Sequence, residues 1–212
     1  MGEEDAATVL FYVHDPMCSW CWGFVPVLKD FLSGLPEEIR VKRLLGGLAP
    51  DTAAPMPAAM QQTIAATWRR IEETIPGTLF NHDFWTQCAP RRSTWPACRA
   101  VIAARLQGDG FDVRMTRAIQ LAYYTQARNP SDEDTLAELA GELGLDVQTF
   151  TADLHGEQVE RQLQAEITLA RRLQAGSFPS LVLKTGATEW RIPVDYNDSA
   201  PMLGLVADLL SE

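Results

Sequence analysis

The stretch that most constrains this chain is Asp15-Pro16-Met17-Cys18-Ser19-Trp20-Cys21-Trp22-Gly23, two cysteines three positions apart between two apolar segments. Before it, Thr8-Val9-Leu10-Phe11-Tyr12-Val13 is rich in β-branched and aromatic residues and predicts a buried strand. After it, Phe24 to Leu32 is apolar at helical spacing, and Gly34 closes the run. A Cys-x-x-Cys at a strand-to-helix junction points to redox chemistry. Cys18 then falls at a helix N-terminus, where unpaired amide N–H groups and the helix dipole favour a thiolate. Cys21 falls one turn deeper, within bridging reach of Cys18. These placements make Cys18 the candidate attacking thiol and Cys21 the resolving one.

A zinc site is the competing use of such a pair, because zinc takes four thiolate or imidazole ligands in a tetrahedron. The remaining cysteines, Cys88 and Cys98, are too far from each other in sequence to form a second knuckle, and His14, His82 and His155 are scattered. No metal is therefore expected. Cys88 and Cys98 themselves admit two readings, buried unpaired thiols acting as small hydrophobes or a second disulfide.

With 212 residues the chain can bury a sizeable core. The formal charge of −10 excludes a protein held to nucleic acid by a basic surface. The N-terminus, Met1-Gly2-Glu3-Glu4-Asp5, is acidic where a secretory signal begins basic, and no apolar run approaches the ~18 residues of a membrane span. The expectation is a cytoplasmic protein without a membrane partner, in a compartment where a cysteine pair serves catalysis more often than structure.

Further along, Glu38 to Leu45 predicts a second strand ended by Gly46-Gly47, so the N-terminal segment is a βαβ unit. From Ala49 the texture changes to helical periods. Met60, Ile64, Trp68, Ile71 and Ile75 mark the inward stripe of one helix, stopped at Pro76-Gly77. Ser93 or Thr94 is placed to cap a helix ending near Gly108, and a further helix covers about 112–127 with Met115, Ile119, Ala122 and Tyr123 inward. Acidic residues after Ser131 open the next helix, Asp146 caps a short one, and 157–175 carries Val159, Leu163, Ile167, Ala170 and Leu173 on one face. At Gly176 strand patterns return: 177–183 and 189–194 predict a hairpin turning at Gly186, followed by a terminal helix holding Met202, Leu205, Val206, Leu209 and Leu210. The order is β-α-β, a helical segment, then β-β-α.

Four segments carry a resemblance to the DsbA-like proteins, and within them to the FrnE-like cytoplasmic branch of thiol–disulfide oxidoreductases. They are Asp15 to Trp22, Trp95-Pro96-Ala97-Cys98-Arg99-Ala100, Ala122 to Asp132 (with Ala127 where the family usually has Gly), and Gly176-Ser177-Phe178-Pro179-Ser180-Leu181. The resemblance implies an α/β thioredoxin-like fold with a large all-helical insertion: a discontinuous domain of 1–49 and 176–212, and an insertion domain of 50–175. It implies that Pro179 is a cis-proline whose loop faces the cysteines, so that Phe178 and Pro179 bind an extended substrate beside the sulfurs.

The dipeptide between the cysteines, Ser19-Trp20, supplies neither a histidine cation nor a stiffening proline, so a Cys18 pKa of roughly 5–7 is expected. Asp15 would raise that value, and His14 would lower it if its ring turned to the thiol rather than bonding backbone. Ser19 and Trp20 are candidate substrate contacts, Trp20 as an exposed apolar platform, with Trp22 in the core and Trp95 a candidate rim residue. Cys98 and Arg99 are further accessory candidates. Arg91, Arg92 and Arg99 form a basic cluster that is either a solvated face or a site for a carboxylate such as that of glutathione.

The expected activity is thiol–disulfide exchange on protein or peptide disulfides, with no bound cofactor and glutathione as a candidate reductant. Two alternatives stand beside it. Kappa-class glutathione transferases and chromene-carboxylate isomerases share the architecture but generally carry Ser at the first cysteine, which the Cys18/Cys21 pair speaks against. A non-catalytic, chaperone-like binding module would keep its function without either thiol.

Overall fold

The computed structural model describes residues 8–211; the acidic stretch at 1–5 lies outside them. The chain runs β1 (Val9–His14), α1 (Ser19–Ser33), β2 (Arg40–Leu45), then α2 (Ala58–Thr74), α3 (Phe84–Gln87), α4 (Trp95–Leu106), α5 (Phe111–Thr125), α6 (Glu133–Glu142), α7 (Val147–Leu154) and α8 (Glu157–Arg172). It returns to β3 (Ser180–Thr185) and β4 (Thr188–Ile192) and ends in α9 (Ala200–Ser211). This is the α/β thioredoxin-like order with a helical insertion between β2 and β3. The one β-contact inside that insertion is an isolated bridge between Pro55 and Arg91.

The sheet order is β2-β1-β3-β4, with β1 parallel to β2 and antiparallel to β3. Parallel pairing of β1 and β2 requires the helical crossover that α1 supplies. β1 is central, which explains its almost unbroken burial. Leu10 and Tyr12 face one side, with Phe24, Val27 and Phe31 of α1 and Met202 and Val206 of α9. Phe11 and Val13 face the other, against Leu44 and the Ala170 and Leu173 end of α8. That alternation is the period-two pattern of a strand buried on both faces.

The two ends of α1 belong to different cores. Its later turns pack on the sheet, whereas Met17 and Trp22 join the helical insertion through Trp68, Phe80, Ala97, Cys98 and Tyr124. Trp68 is the hub of that core: fully buried, it stacks on Phe80 at 4.9 Å and meets Trp85, Tyr123 and Tyr124 within 5.5 Å.

Three sequence expectations differ from the structure in detail. Met60 is exposed because the first two turns of α2 reach beyond the core, so the inward stripe begins at Ile64. Leu210 is exposed because it turns away from the Met202–Val206 face of α9. Thr94 stands at the N-cap of α4 without capping it, since its hydroxyl is drawn to Asp15 instead.

Candidate functional site

The site grows from the junction between β1 and α1. His14 ends the strand, a tight turn passes through Asp15 and Pro16, and Cys18 occupies the N-cap of α1. The turn is held by the Asp15 carboxylate, which is fully buried and accepts four hydrogen bonds. Oδ1 accepts from the Met17 N–H at 2.8 Å, and Oδ2 accepts from the Leu48 N–H and the Thr94 hydroxyl at 2.7 Å and from the Cys98 thiol at 3.5 Å. Burial pushes its pKa up and these four donors pull it back. Asp15 thereby ties the cysteine turn to the loop after β2 and to α4. Of the two residues that carry half of this knot, Thr94 shows in the sequence only as a candidate helix cap and Leu48 shows in no motif.

Cys18 is 7% exposed and Cys21 is fully buried. Both are free thiols, and the two cysteines approach each other to 3.4 Å. Burial pushes the Cys21 thiol well up, and its hydrogen bond with Cys18 and the neighbouring Cys18 and Asp15 charges push it the same way. Beneath it, Tyr12 is also held well above the usual phenol range, first by burial and then by the two nearby sulfurs.

The Phe178–Pro179 peptide bond is cis, and its loop faces the cysteines. The Cys18 thiol donates to the Phe178 carbonyl oxygen at 3.4 Å. The Phe178 ring lies where a side chain on Gly46 would be: a Cβ built there would sit 2.0 Å from the ring's Cζ. The neighbouring Gly47 has φ +61, and its carbonyl accepts from the Trp95 indole at 3.2 Å. Trp95 is therefore anchored to the loop after β2.

Trp20 differs from expectation in its exposure, and Ser19 has a partner within the protein. The Ser19 hydroxyl accepts from the Trp68 indole at 2.9 Å, which ties it to α2. Trp20 is half-buried, packed on Tyr196 with ring centroids 5.1 Å apart, because the segment before α9 folds over it. Trp22 is in the core as expected, its indole donating to the Leu79 carbonyl at 3.2 Å.

The His14 ring makes no backbone hydrogen bond among the described residues. It is 3% exposed, stacks on Tyr12 at 4.8 Å, and leaves Nδ1 without a partner. Burial, with Arg43 and Arg105 nearby, lowers its pKa to about 3. Cys98 is a buried unpaired thiol, pushed up by burial and by Asp15, and Cys88 donates to the Ala127 carbonyl at 2.9 Å. Two members of the basic cluster are paired within the protein, Arg99 with Asp51 and Glu160 and Arg91 with Asp132. Among the described residues no group of three or more Cys, His, Asp and Glu side chains could hold a metal, and no helix is long and apolar enough to cross a membrane.

This arrangement presents one thiol at a helix start beside a backbone carbonyl, with a second thiol sealed below it. Known proteins with similar chains carry related names. Among solved structures, a candidate protein disulfide isomerase from Nitrosomonas europaea is 27% identical with a TM-score of 0.83, covering 96% of this chain and 98% of that one. The cytosolic disulfide reductase DsbM from Pseudomonas aeruginosa, solved with GSH, is 25% identical with a TM-score of 0.74, covering 96% and 100%. Among curated proteins, the ClpXP adapter protein SpxH is 28% identical in Halalkalibacterium halodurans and 27% in Bacillus subtilis, over 79% and 85% of this chain. The chain spans only 56% and 59% of the length of those two relatives. The family model described as thioredoxin matches residues 11–195, and the chain belongs to the thioredoxin family, with the helical insertion of its DsbA-like members.

Proposed function

We propose that this protein is a dithiol–disulfide oxidoreductase acting on protein or peptide disulfides. The observation that carries this reading is the position of Cys18, at the α1 N-cap and 3.4 Å from the Phe178 carbonyl, with Cys21 buried against it. The Cys18 thiolate attacks one sulfur of a substrate disulfide, forming a Cys18–substrate bond and releasing the other substrate sulfur as a thiol. The Cys21 thiol loses its proton and attacks Cys18, releasing the second substrate thiol and leaving a Cys18–Cys21 disulfide. The substrate gains two electrons and the enzyme loses two. Two glutathione thiols are the proposed reductant that restores the dithiol, a role supported by the similarity to a reductase solved with GSH. The reverse sequence oxidises a substrate dithiol.

The Phe178-Pro179 loop is the proposed docking edge, where an extended peptide pairs its main chain beside the sulfurs. Trp20 and Tyr196 supply an apolar flank to the same mouth. Ser19, Asp15, Trp95 and Cys98 act as supports of the turn, not as substrate contacts. A reducing cytoplasm and the FrnE-like branch fit this activity.

Cys21→Ser should accumulate mixed disulfides through Cys18, whereas Cys18→Ser should accumulate none. Faster alkylation of Cys21 than of Cys18 at neutral pH would overturn the assignment. The similarity to ClpXP adapters favours a second reading, in which the same scaffold binds a protein client without chemistry. That reading requires client binding to survive replacement of both cysteines by serine, which separates it from the first.

A further inference from the structure

A cleft of about 520 Å³ opens between α1, the β2 edge of the sheet and α5, away from the Phe178-Pro179 loop. Its volume lies within the range of small-molecule sites. Val25, Leu28 and Leu32 of α1 and Val113 of α5 make its walls apolar. Three cations also line it, Lys29, Arg43 and Arg117, and no Asp or Glu does. None of the three is in an ion pair among the described residues, while Arg91, Arg99, Arg105 and Arg128 all are. In a chain of net charge −10, three unneutralised cations on one apolar cleft form a local reversal of sign. Arg117 is held over the Trp22 ring, 4.7 Å from its centroid, which fixes the guanidinium at the rim.

The floor is polar. Gln120 is 3% exposed, lines the cleft, and makes no side-chain hydrogen bond among the described residues. His14, equally buried, lines the same floor with its Nδ1 unpartnered. A buried polar atom without a partner is uncommon and calls for a ligand or bound solvent, and among the described residues the atom of this floor that stands so is His14 Nδ1. The positive field is felt within the floor: Arg43 and Arg105 add to burial in keeping the His14 ring neutral.

We propose that this cleft binds an amphipathic organic anion, a medium-chain carboxylate whose tail lies along α1 and whose head is held by Arg43 and Arg117. Apolar walls without the cations would suit any greasy molecule, and the cations without the walls would suit any anion; together they select one that is both. The Gln120 amide can donate to a carboxylate oxygen at the inner end of the head group. Bound there, the ligand would touch Tyr12, which lies beneath Cys21, without occupying the mouth at Cys18.

Decanoate is the test molecule, titrated into the dithiol form of the protein by calorimetry and by NMR of the Gln120 side-chain amide. The expected result is saturable binding that shifts the Gln120 resonances. Decanol, the same chain without charge, should bind roughly tenfold weaker or more. Arg43→Met with Arg117→Met should weaken decanoate to the level of decanol. Leu28→Trp, at a half-buried wall position, should fill the cleft and abolish both, with an unchanged thermal unfolding profile as the folding control. No saturable binding, equal affinity for decanol and decanoate, or decanoate affinity indifferent to the two arginines would each overturn the proposal.

Discussion

Replacing His14 with phenylalanine should remove much of the acid sensitivity that burial builds into this protein. The folded-state pKa of His14 is about 3, lowered from 6.5 by burial and by Arg43 and Arg105. A lowered pKa means that the unfolded chain takes up a proton that the folded chain refuses. The stability tied to this group is therefore complete above pH 6.5 and is lost progressively as pH falls toward 3. The span is about 3.5 pH units, and at 1.36 kcal/mol per unit the whole effect is about 5 kcal/mol. Between pH 6.5 and pH 4.5 it amounts to roughly 2 kcal/mol. Phenylalanine keeps the stack on Tyr12 and sacrifices no hydrogen bond at Nδ1, because that nitrogen makes none. At pH 7 the variant should be at least as stable as the wild type, since a buried polar atom without a partner costs about 1–3 kcal/mol. Urea unfolding of both proteins at pH 7 and pH 4.5 measures the difference, and the acid shift in midpoint should be about 1 M larger for the wild type. Parallel shifts in the two proteins, or a His14 ring that titrates between pH 6 and 7 by NMR, would refute the reasoning.

Other outcomes test the supports of the cysteine turn. Asp15→Asn places an amide N–H against one of the donors that the carboxylate now accepts, orphaning two buried groups; a loss of about 2–4 kcal/mol is expected in urea unfolding. Trp68→Phe removes the indole bond to Ser19 and should cost about 1 kcal/mol beyond its packing loss, with a matching penalty from Ser19→Ala that is not additive in a double-mutant cycle. Gly46→Ala forces the Phe178 ring out of its seat and should slow exchange roughly 10–100-fold while leaving both thiols titratable by alkylation; unchanged turnover would exclude the loop from the reaction.

The strand, dithiol and helix were legible because each rests on a local rule: alternation in β1, paired cysteines at a helix start, and turn residues at Gly46 and Gly186. Met60 and Leu210 were misjudged because periodicity shows which face is apolar but not how far along a helix its partner extends. The site supports were illegible for a different reason. Asp15 finds Thr94 and Leu48, and Ser19 finds Trp68, across 33 to 79 residues of chain, and nothing local announces such a pairing. The ion pairs of Arg91 and Arg99 were illegible for the same reason, because Asp51, Asp132 and Glu160 lie far off in sequence.

The divided allegiance of α1 carries a consequence for how such proteins can diversify. Its first turn is bolted to the helices by Asp15–Thr94, Ser19–Trp68 and Trp22–Leu79, while its remaining turns are seated on the sheet. The helical segment is thus no exchangeable cap. A graft taken from another lineage would have to bring a hydroxyl, an indole and a carbonyl to three fixed points, or leave the reactive turn hanging. A change on the outer surface of the helices touches none of these three points. A change at the seam demands a matching one across it.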